Sequence, residues 1–379
     1  MTVRLFRPEF TPDDLISVKT VFDDAWVGLG SYVNTFEDKW GEEIGSPFCV
    51  ATNSGTAALH LAVAALKLPP GSKILVPTMT FASTAYAVLY NQLEPIFVDC
   101  DYDTMCISID DLKRKSTQAS AVIIVHFGGE ACDIEQVQAI CSDQKLYLIE
   151  DCAHTQGGTL QSKALGTFGH IGCFSFEEKK GMTTGDGGML VTHDEEIAEY
   201  CRKSRWLGID KDTWRRASTG IANDSRTDWY YEIAQTGYKY NMNNLSAILG
   251  LSQLKRLQKI RDRKNEVVTA YQHAFSNLPC QSLIPHLHLG SEITSYWLAG
   301  LRTNRRDALR EYLKNHDIHT GVHYMPLHHH PLFKKYGQAE LATSDRLYSE
   351  IVSLPLHSSL SMDEVNHVIN NVIDFFEIT

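Results

Sequence analysis

Between residues 47 and 200, short apolar, β-branched runs alternate with longer stretches in which apolar and polar residues recur at helical spacing. Parallel strands joined by crossover helices require this alternation: a strand covered on both faces reads as a continuous apolar run, and each covering helix needs one apolar face. Residues 48–51, Ile74-Leu75-Val76, Pro95-Ile96-Phe97-Val98, Val122-Ile123-Ile124-Val125 and Leu146-Tyr147-Leu148-Ile149 are the predicted strands. The last four run into Pro77-Thr78, Asp99, His126 and Glu150-Asp151. Ligands of open α/β sheets bind outside the carboxyl ends of strands, so chemistry is expected at those endings.

Over residues 246–278 the spacing of Leu251, Leu254, Leu257, Ile260, Val267, Val268 and Tyr271 predicts one long connecting helix. Near the C-terminus Ser361 and Glu364 form a capping-box pattern, followed by Val365, Val368, Ile369, Val372, Ile373 and Phe376 on one helix face. These patterns predict a large domain over 1–250 and a smaller C-terminal α/β domain over 251–379. The polar stretch 218–227 reads as an exposed loop.

Composition narrows the function. With 379 residues, 43% hydrophobic and 21% charged, disorder is excluded. Lys and Arg number 35 against 46 Asp and Glu, a formal charge of −11, which opposes a broad grip on nucleic acid but not a small anionic ligand held by local donors. Nine scattered cysteines without a C-x-x-C pair argue against disulfides and zinc, and fit a reducing compartment. The N-terminus has no basic-then-apolar leader pattern, and apolar runs fall short of the ~20 residues of a spanning helix. The expectation is a cytoplasmic protein with no membrane contact.

Several segments carry candidate chemistry, each with a plainer alternative. In Asn53-Ser54-Gly55-Thr56-Ala57-Ala58-Leu59 a strand meets an Ala-rich helix with Ser54 as N-cap; free N–H groups, the Thr56 hydroxyl and close approach at Gly55 would cradle a phosphate, unless it is simply a capped helix. Phe81 follows a strand end and either faces that rim or joins the core. Asp151 ends an apolar strand, where a carboxylate usually has a cationic partner or caps a helix; His154 is either functional or a satisfied core residue. Lys180 lies between the strand around Phe174-Ser175-Phe176 and a Gly-rich turn, where partial desolvation suits a lysine to Schiff-base formation, though a solvated loop lysine is the default. The Gly166-x-x-Gly169-x-x-Gly172 pattern precedes a strand instead of following one, against a dinucleotide loop. Three consecutive histidines, His328 to His330, cannot all converge on one ion from a regular element, and no metal is expected. Arg202, Lys203, Arg205, Lys211, Arg215 and Arg216 read as a solvated basic face, with a docking site for a substrate diphosphate as the second possibility.

In chain order, a phosphate cradle, an aromatic, a strand-end acid, and then a serine and a lysine before a Gly-rich turn meet the needs of pyridoxal 5'-phosphate (PLP): donors for its phosphate, a ring partner, an acid for the pyridine nitrogen and an amine for the aldehyde. The chain also resembles the DegT/DnrJ/EryC1/StrS sugar aminotransferases, fold-type I PLP enzymes acting on nucleotide-linked keto sugars. The resemblance runs from Trp26-Val27-Gly28-Leu29-Gly30 through the Asn53 to Leu59 motif, Pro77-Thr78-Met79-Thr80-Phe81, Glu150-Asp151-Cys152-Ala153-His154 and Phe174-Ser175-Phe176 with Lys180, to Gly237-Tyr238-Lys239-Tyr240-Asn241-Met242.

The resemblance implies a mostly parallel central sheet flanked by helices. It makes Lys180 the Schiff-base lysine, pairs Asp151 with the pyridinium nitrogen and sets His154 near the phenolic oxygen. By the same resemblance Phe81 stacks on the ring, and Gly55, Thr56 and Ser175 hold the phosphate. Lys239 or Asn241 reaches in from the partner of a homodimer, while Gly30 and Tyr324 line the sugar-nucleotide pocket. The implied reaction moves an amine from glutamate to a nucleotide-linked keto sugar in lipopolysaccharide or other surface-polysaccharide or deoxyamino-sugar biosynthesis. Residues 207–214 resemble those of C-4 aminotransferases, which favours the C-4 keto group of a 4-keto-6-deoxy sugar over C-3. Related dehydratases carry His where Lys180 stands, and a non-catalytic homologue would not need the intact set. His170, Asp186, Lys239 and Asn241 depart from the commonest family residues.

Overall fold

The computed structural model describes residues 1–210, 231–278, 293–336 and 340–377. At its centre is a seven-stranded sheet of β1 (Phe48–Thr52), β2 (Lys73–Pro77), β3 (Glu94–Val98), β4 (Ala121–Val125), β5 (Tyr147–Asp151), β6 (Ile171–Ser175) and β7 (Gly188–Thr192). Its order is β1-β7-β6-β5-β4-β2-β3. The run from β6 to β3 is parallel, as the apolar runs predict, while β7 lies antiparallel to both β6 and β1.

Strand parity divides the core. Ile74, Val76, Ile123 and Ile149 pack on one face with Ala58, Leu61 and Ala62 of the Gly55–Ala65 helix and Ala85 and Val88 of the Ala82–Tyr90 helix. Leu75, Val122, Ile124 and Leu148 pack on the other, with Val137 and Cys141 of the Ile134–Gln144 helix. Period-two alternation sends Glu150 and Asp151 to opposite faces as well. Glu150 is fully buried and wholly engaged by the protein: it accepts from the N–H groups of Gly166 (2.8 Å), Phe168 (2.7 Å) and Gly169 (2.6 Å) and pairs with His126 Nε2 at 3.0 Å. The glycine pattern at 166–172 thus wraps an internal carboxylate. Asp151 shares its face with Ile149, toward the Ala82–Tyr90 helix.

A second core joins the Leu257–Phe275 and Met362–Glu377 helices to a two-stranded antiparallel sheet of Ala299–Arg302 and Ile351–Leu354. The capping box holds as read: Ser361 N–H donates to Glu364 at 2.8 Å and Glu364 N–H to Ser361 Oγ at 3.1 Å. The long helix expected over 246–278 is two helices, Asn244–Leu254 and Leu257–Phe275. Arg256 leaves helical geometry (φ −114°, ψ 4°), and its guanidinium is bound to Asp14 (2.7 Å) and Glu9 (3.5 Å) near the N-terminus. Periodicity continues through such a break because the leucines keep their spacing. The loop expected at 218–227 lies outside the described residues.

The basic cluster also needs correction. Arg202 pairs with Glu199 near the surface, but Arg205 is 1% exposed and forms a buried ion pair with Glu37; Lys211, Arg215 and Arg216 lie outside the described residues. Arg205 donates to the Ala51 carbonyl (2.8 Å), and Glu37 accepts from the Ala51 N–H (2.7 Å). Because β1 is an edge strand, this pair satisfies backbone groups that no neighbouring strand can reach. The eight cysteines among the described residues are buried and free. No described helix is long and apolar enough to cross a membrane.

Glu37→Ala strands the buried guanidinium and the Ala51 amide. We expect a loss of about 3–5 kcal/mol, the usual cost of removing one partner of a buried pair, seen as a lower denaturation midpoint, whereas truncating exposed Glu199 changes it little.

Candidate active site

A cavity of about 320 Å³ opens beside the carboxyl ends of β5 and β6 and the start of the Gly55–Ala65 helix, within the size range of small-molecule sites. Its wall includes Gly55, Thr56, Phe81, Asp151, His154, Ser175, Lys180 and Tyr324, so most of the side chains expected from sequence meet in one place.

The cradle follows from local geometry. Ser54 caps the helix by accepting from Ala57 N–H at 3.1 Å, leaving the earlier N–H groups of the first turn without intrahelical partners. Thr56 Oγ1 lies 2.7 Å from Ser83 Oγ. Gly55 is required by packing: a Cβ there would sit 2.8 Å from Ser175 Cβ. The absent methyl lets the end of β6 touch the helix start, and brings the Ser175 hydroxyl beside free helix N–H groups, an arrangement that suits an anion.

Asp151 is aimed by two bonds, from Thr84 Oγ1 to Oδ2 (2.8 Å) and from Ala153 N–H to Oδ1 (3.1 Å). Burial pushes its carboxyl above the usual range, against the lowering effects of Thr84, Ala153 and Lys180. A carboxyl so placed gains most from a cationic partner within the cavity.

Lys180 lies on the turn after β6, and Gln156 shapes that turn like a strand neighbour. Gln156 accepts from Met182 N–H (2.7 Å) and donates to the Met182 carbonyl (3.3 Å) and the Ser175 carbonyl. A Cβ on Gly181 would lie 2.5 Å from Gln156 Oε1, so glycine permits the clamp. Lys180 Nζ is 4.1 Å from the Trp297 ring centroid. Burial depresses its pKa to about 8, while Glu177 and Asp151 act in the opposite direction.

His154 stacks on Trp297 with centroids 3.8 Å apart and planes 7° from parallel. Its Nδ1 accepts from Gly128 N–H at 3.3 Å, so the proton of the neutral ring sits on Nε2, 3.5 Å from the Tyr324 hydroxyl. Burial, reinforced by the Lys180 charge, holds His154 well below its ordinary pKa and therefore neutral. Phe81 is 60% exposed at the rim, with its ring 6.0 Å from that of Tyr324, so it is not a core residue.

Three expected residues do not line this cavity. Gly30 packs against Trp26 and Asn244. Lys239 Nζ lies over the Trp206 ring at 3.3 Å and donates to Asn241 Oδ1 at 3.0 Å. Conversely, the sequence reading missed Trp297, Gln156 and Thr84. Thr84 lies one helical turn after Phe81, a spacing that could have exposed it; Trp297 carries no local signal, being 117 positions from Lys180.

The donor set fits PLP: helix N–H groups and two hydroxyls for a phosphate, a buried acid for a ring nitrogen, an aromatic ring at the rim and a partly buried amine. Residues 9–373 match the DegT/DnrJ/EryC1/StrS aminotransferase family. The chain is 30% identical to the GDP-perosamine synthase of Escherichia coli O157:H7, over 99% of this chain and 98% of that protein. It is 31% identical to the dTDP-4-dehydro-2,3,6-trideoxy-D-glucose 4-aminotransferase of Saccharopolyspora spinosa, over 97% and 94%. The crystal structure of the aminotransferase TlmJ from Streptoalloteichus hindustanus superposes with a TM-score of 0.89 at 30% identity, covering 98% of this chain and 97% of that one.

The sign of the Lys180 shift gives a pH prediction. In the cofactor-free chain the amine becomes neutral as pH rises through about 8, so the rate of PLP capture should climb about tenfold per pH unit below that value and level above it, whereas an exposed lysine would bend near about 10.4. Asp151→Asn, which removes a charge that raises the pKa, should move the bend to lower pH; stopped-flow absorbance of cofactor addition measures both.

Proposed function

Because the chain belongs to the DegT/DnrJ/EryC1/StrS aminotransferase family, we propose that it moves an amino group from glutamate to the C-4 keto group of a nucleotide-linked 4-keto-6-deoxy sugar. The chain is a PLP-dependent sugar aminotransferase. One observation carries the reading of its site: the Lys180 amine and the Asp151 carboxyl line one cavity with the Gly55–Thr56 helix start and Ser175. The C-4 assignment is supported by the relative named as a 4-aminotransferase of a 4-dehydro sugar, and by the likeness of residues 207–214 to C-4 enzymes.

PLP, when bound, supplies an aldehyde that condenses with amines and a ring that accepts the electron pair left when a proton leaves carbon. Gly55, Thr56 and Ser175 would hold its phosphate at the helix start. Asp151, oriented by Thr84 and Ala153, would keep a proton at the pyridine nitrogen, an electrostatic role that strengthens as negative charge develops nearby. Phe81, at the rim, would limit access of water to the ring. Lys180 Nζ would hold the cofactor through its aldehyde and, when free, would serve as the base that takes the proton from the donor's α-carbon. His154, neutral and with its proton on Nε2, would be the donor available to the phenolic oxygen. Tyr324, in the cavity wall, would border the sugar nucleotide, whereas Gly30 lies outside this cavity and, like Lys239 and Asn241, could meet substrate only in the site of a second copy. Lys239 and Asn241, outside their own cavity, serve that of a second copy in a homodimer.

Lys180→Ala should abolish the cofactor absorbance that borohydride traps on the wild-type chain and lower turnover by at least ~10²–10⁴-fold, the range of a lost general base. Retention of a trappable band in that variant would exclude Lys180. Incubation with glutamate and a panel of 3-keto and 4-keto nucleotide sugars, with product position read by NMR, should give an amine at C-4; an amine only at C-3 would overturn that assignment.

A further inference from the structure

Outside the cavity, the segment that follows Tyr324 builds a second constellation. The turn Leu327–His329 directs His328 and His329, two of the three consecutive histidines, at one carboxylate: Asp345 Oδ1 is 3.0 Å from His328 Nε2 and 2.6 Å from His329 Nε2. Three consecutive histidines cannot all converge from a regular element, and here only two do, from a turn. The tight turn after Pro326 brings the two rings to 4.4 Å between centroids, and a third ligand comes from a different element, the Ala342–Glu350 helix.

Both sides of the cluster are braced. His328 Nδ1 is 2.7 Å from Thr78 Oγ1, which turns Nε2 toward Asp345. The Leu327 N–H donates to the Thr78 carbonyl at 2.7 Å, tying the histidine turn to the end of β2. On the other side Asp99, following β3, accepts from the N–H groups of Thr343 (3.0 Å) and Ser344 (2.8 Å) and from the Ser344 hydroxyl, which fixes the helix start that carries Asp345.

We propose that His328, His329 and Asp345 form a binding site for a divalent first-row transition ion of the zinc class, with solvent completing the coordination. Two imidazole nitrogens and one carboxylate oxygen, all within 4.8 Å of one another, are a ligand set that zinc favours over calcium or magnesium. His328 already has an outer partner on its other ring nitrogen, the Thr78 hydroxyl, which fixes the ring as outer-shell hydrogen bonds do for ligating histidines. With bonds of about 2.0–2.1 Å, tetrahedral ligand atoms stand roughly 3.4 Å apart, so Asp345 Oδ1, now 3.0 and 2.6 Å from the two nitrogens, need only draw back slightly to admit an ion. Asp345 and His329, 48% and 36% exposed at their side chains, have the freedom to do so. The other close cluster, His126, Glu150 and Cys152, carries no such proposal because Glu150 is already saturated by protein donors. The bound ion would staple the turn after Tyr324 to the Ala342–Glu350 helix.

The test uses the PLP-loaded full-length chain after removal of metal by a chelator. Co²⁺ titration followed by visible absorbance, and Zn²⁺ titration by calorimetry, should reveal one site per chain; thermal unfolding should shift upward with Zn²⁺. H329A and D345N, neither in the cavity, should each weaken that site at least tenfold and cancel the thermal shift, with unfolding in chelator showing that both variants fold. Absence of the site in the wild-type chain, or its survival in either variant, overturns the proposal.

Discussion

A carboxylate buried at the end of a strand must be satisfied by the protein or offered to a ligand, and β5 does both at consecutive residues. Glu150 turns to one face of the sheet and is saturated by His126 and the amides of the 166–169 loop. Asp151 turns to the other, where Thr84 and Ala153 orient it and leave it facing the cavity. The first acid fixes the loop that leads into β6; the second is the carboxyl that the cavity offers to a ligand. A one-residue slip of register in β5 would exchange their faces and leave neither task done.

The electrostatics of the cavity rest on burial more than on pairing. Asp151 is raised and Lys180 depressed by the same loss of water, even though each charge would favour the other. Lys264, buried nearby on the Leu257–Phe275 helix, is lowered to about 7 by burial and by Lys180. His323 falls to about 4, chiefly through burial, with Lys180 and Lys179 adding to it. An amine held near neutrality can act as nucleophile and base under the conditions in which an exposed lysine is protonated.

The antiparallel departure of β7 has a structural consequence for the same site. By turning back between β6 and β1, it sets the end of β6 beside the start of the Gly55–Ala65 helix, so that Ser175 and Gly55 touch. The Glu37–Arg205 pair closes the exposed edge of β1 and holds the strand that leads into the cradle. The site therefore depends on one edge of the sheet being finished by side chains where, among the described residues, no further strand is added.

Much of this was legible in the chain itself. Apolar runs marked the strands, their polar endings located the chemistry, and the order of Gly55, Thr56, Phe81, Asp151, Ser175 and Lys180 matched the parts of one cofactor. Such signals are local: burial along an element repeats with the period of that element, and a strand end is visible where the apolar run stops. The tertiary structure decided what depends on elements meeting. It stacked Trp297 on His154, clamped the Lys180 turn with Gln156, buried Arg205 against Glu37 and broke the long helix where Arg256 meets Asp14. It also turned His328 and His329 onto Asp345. Each of these contacts joins separate elements, most of them far apart in the chain, and no period or propensity within either segment encodes the distance between them.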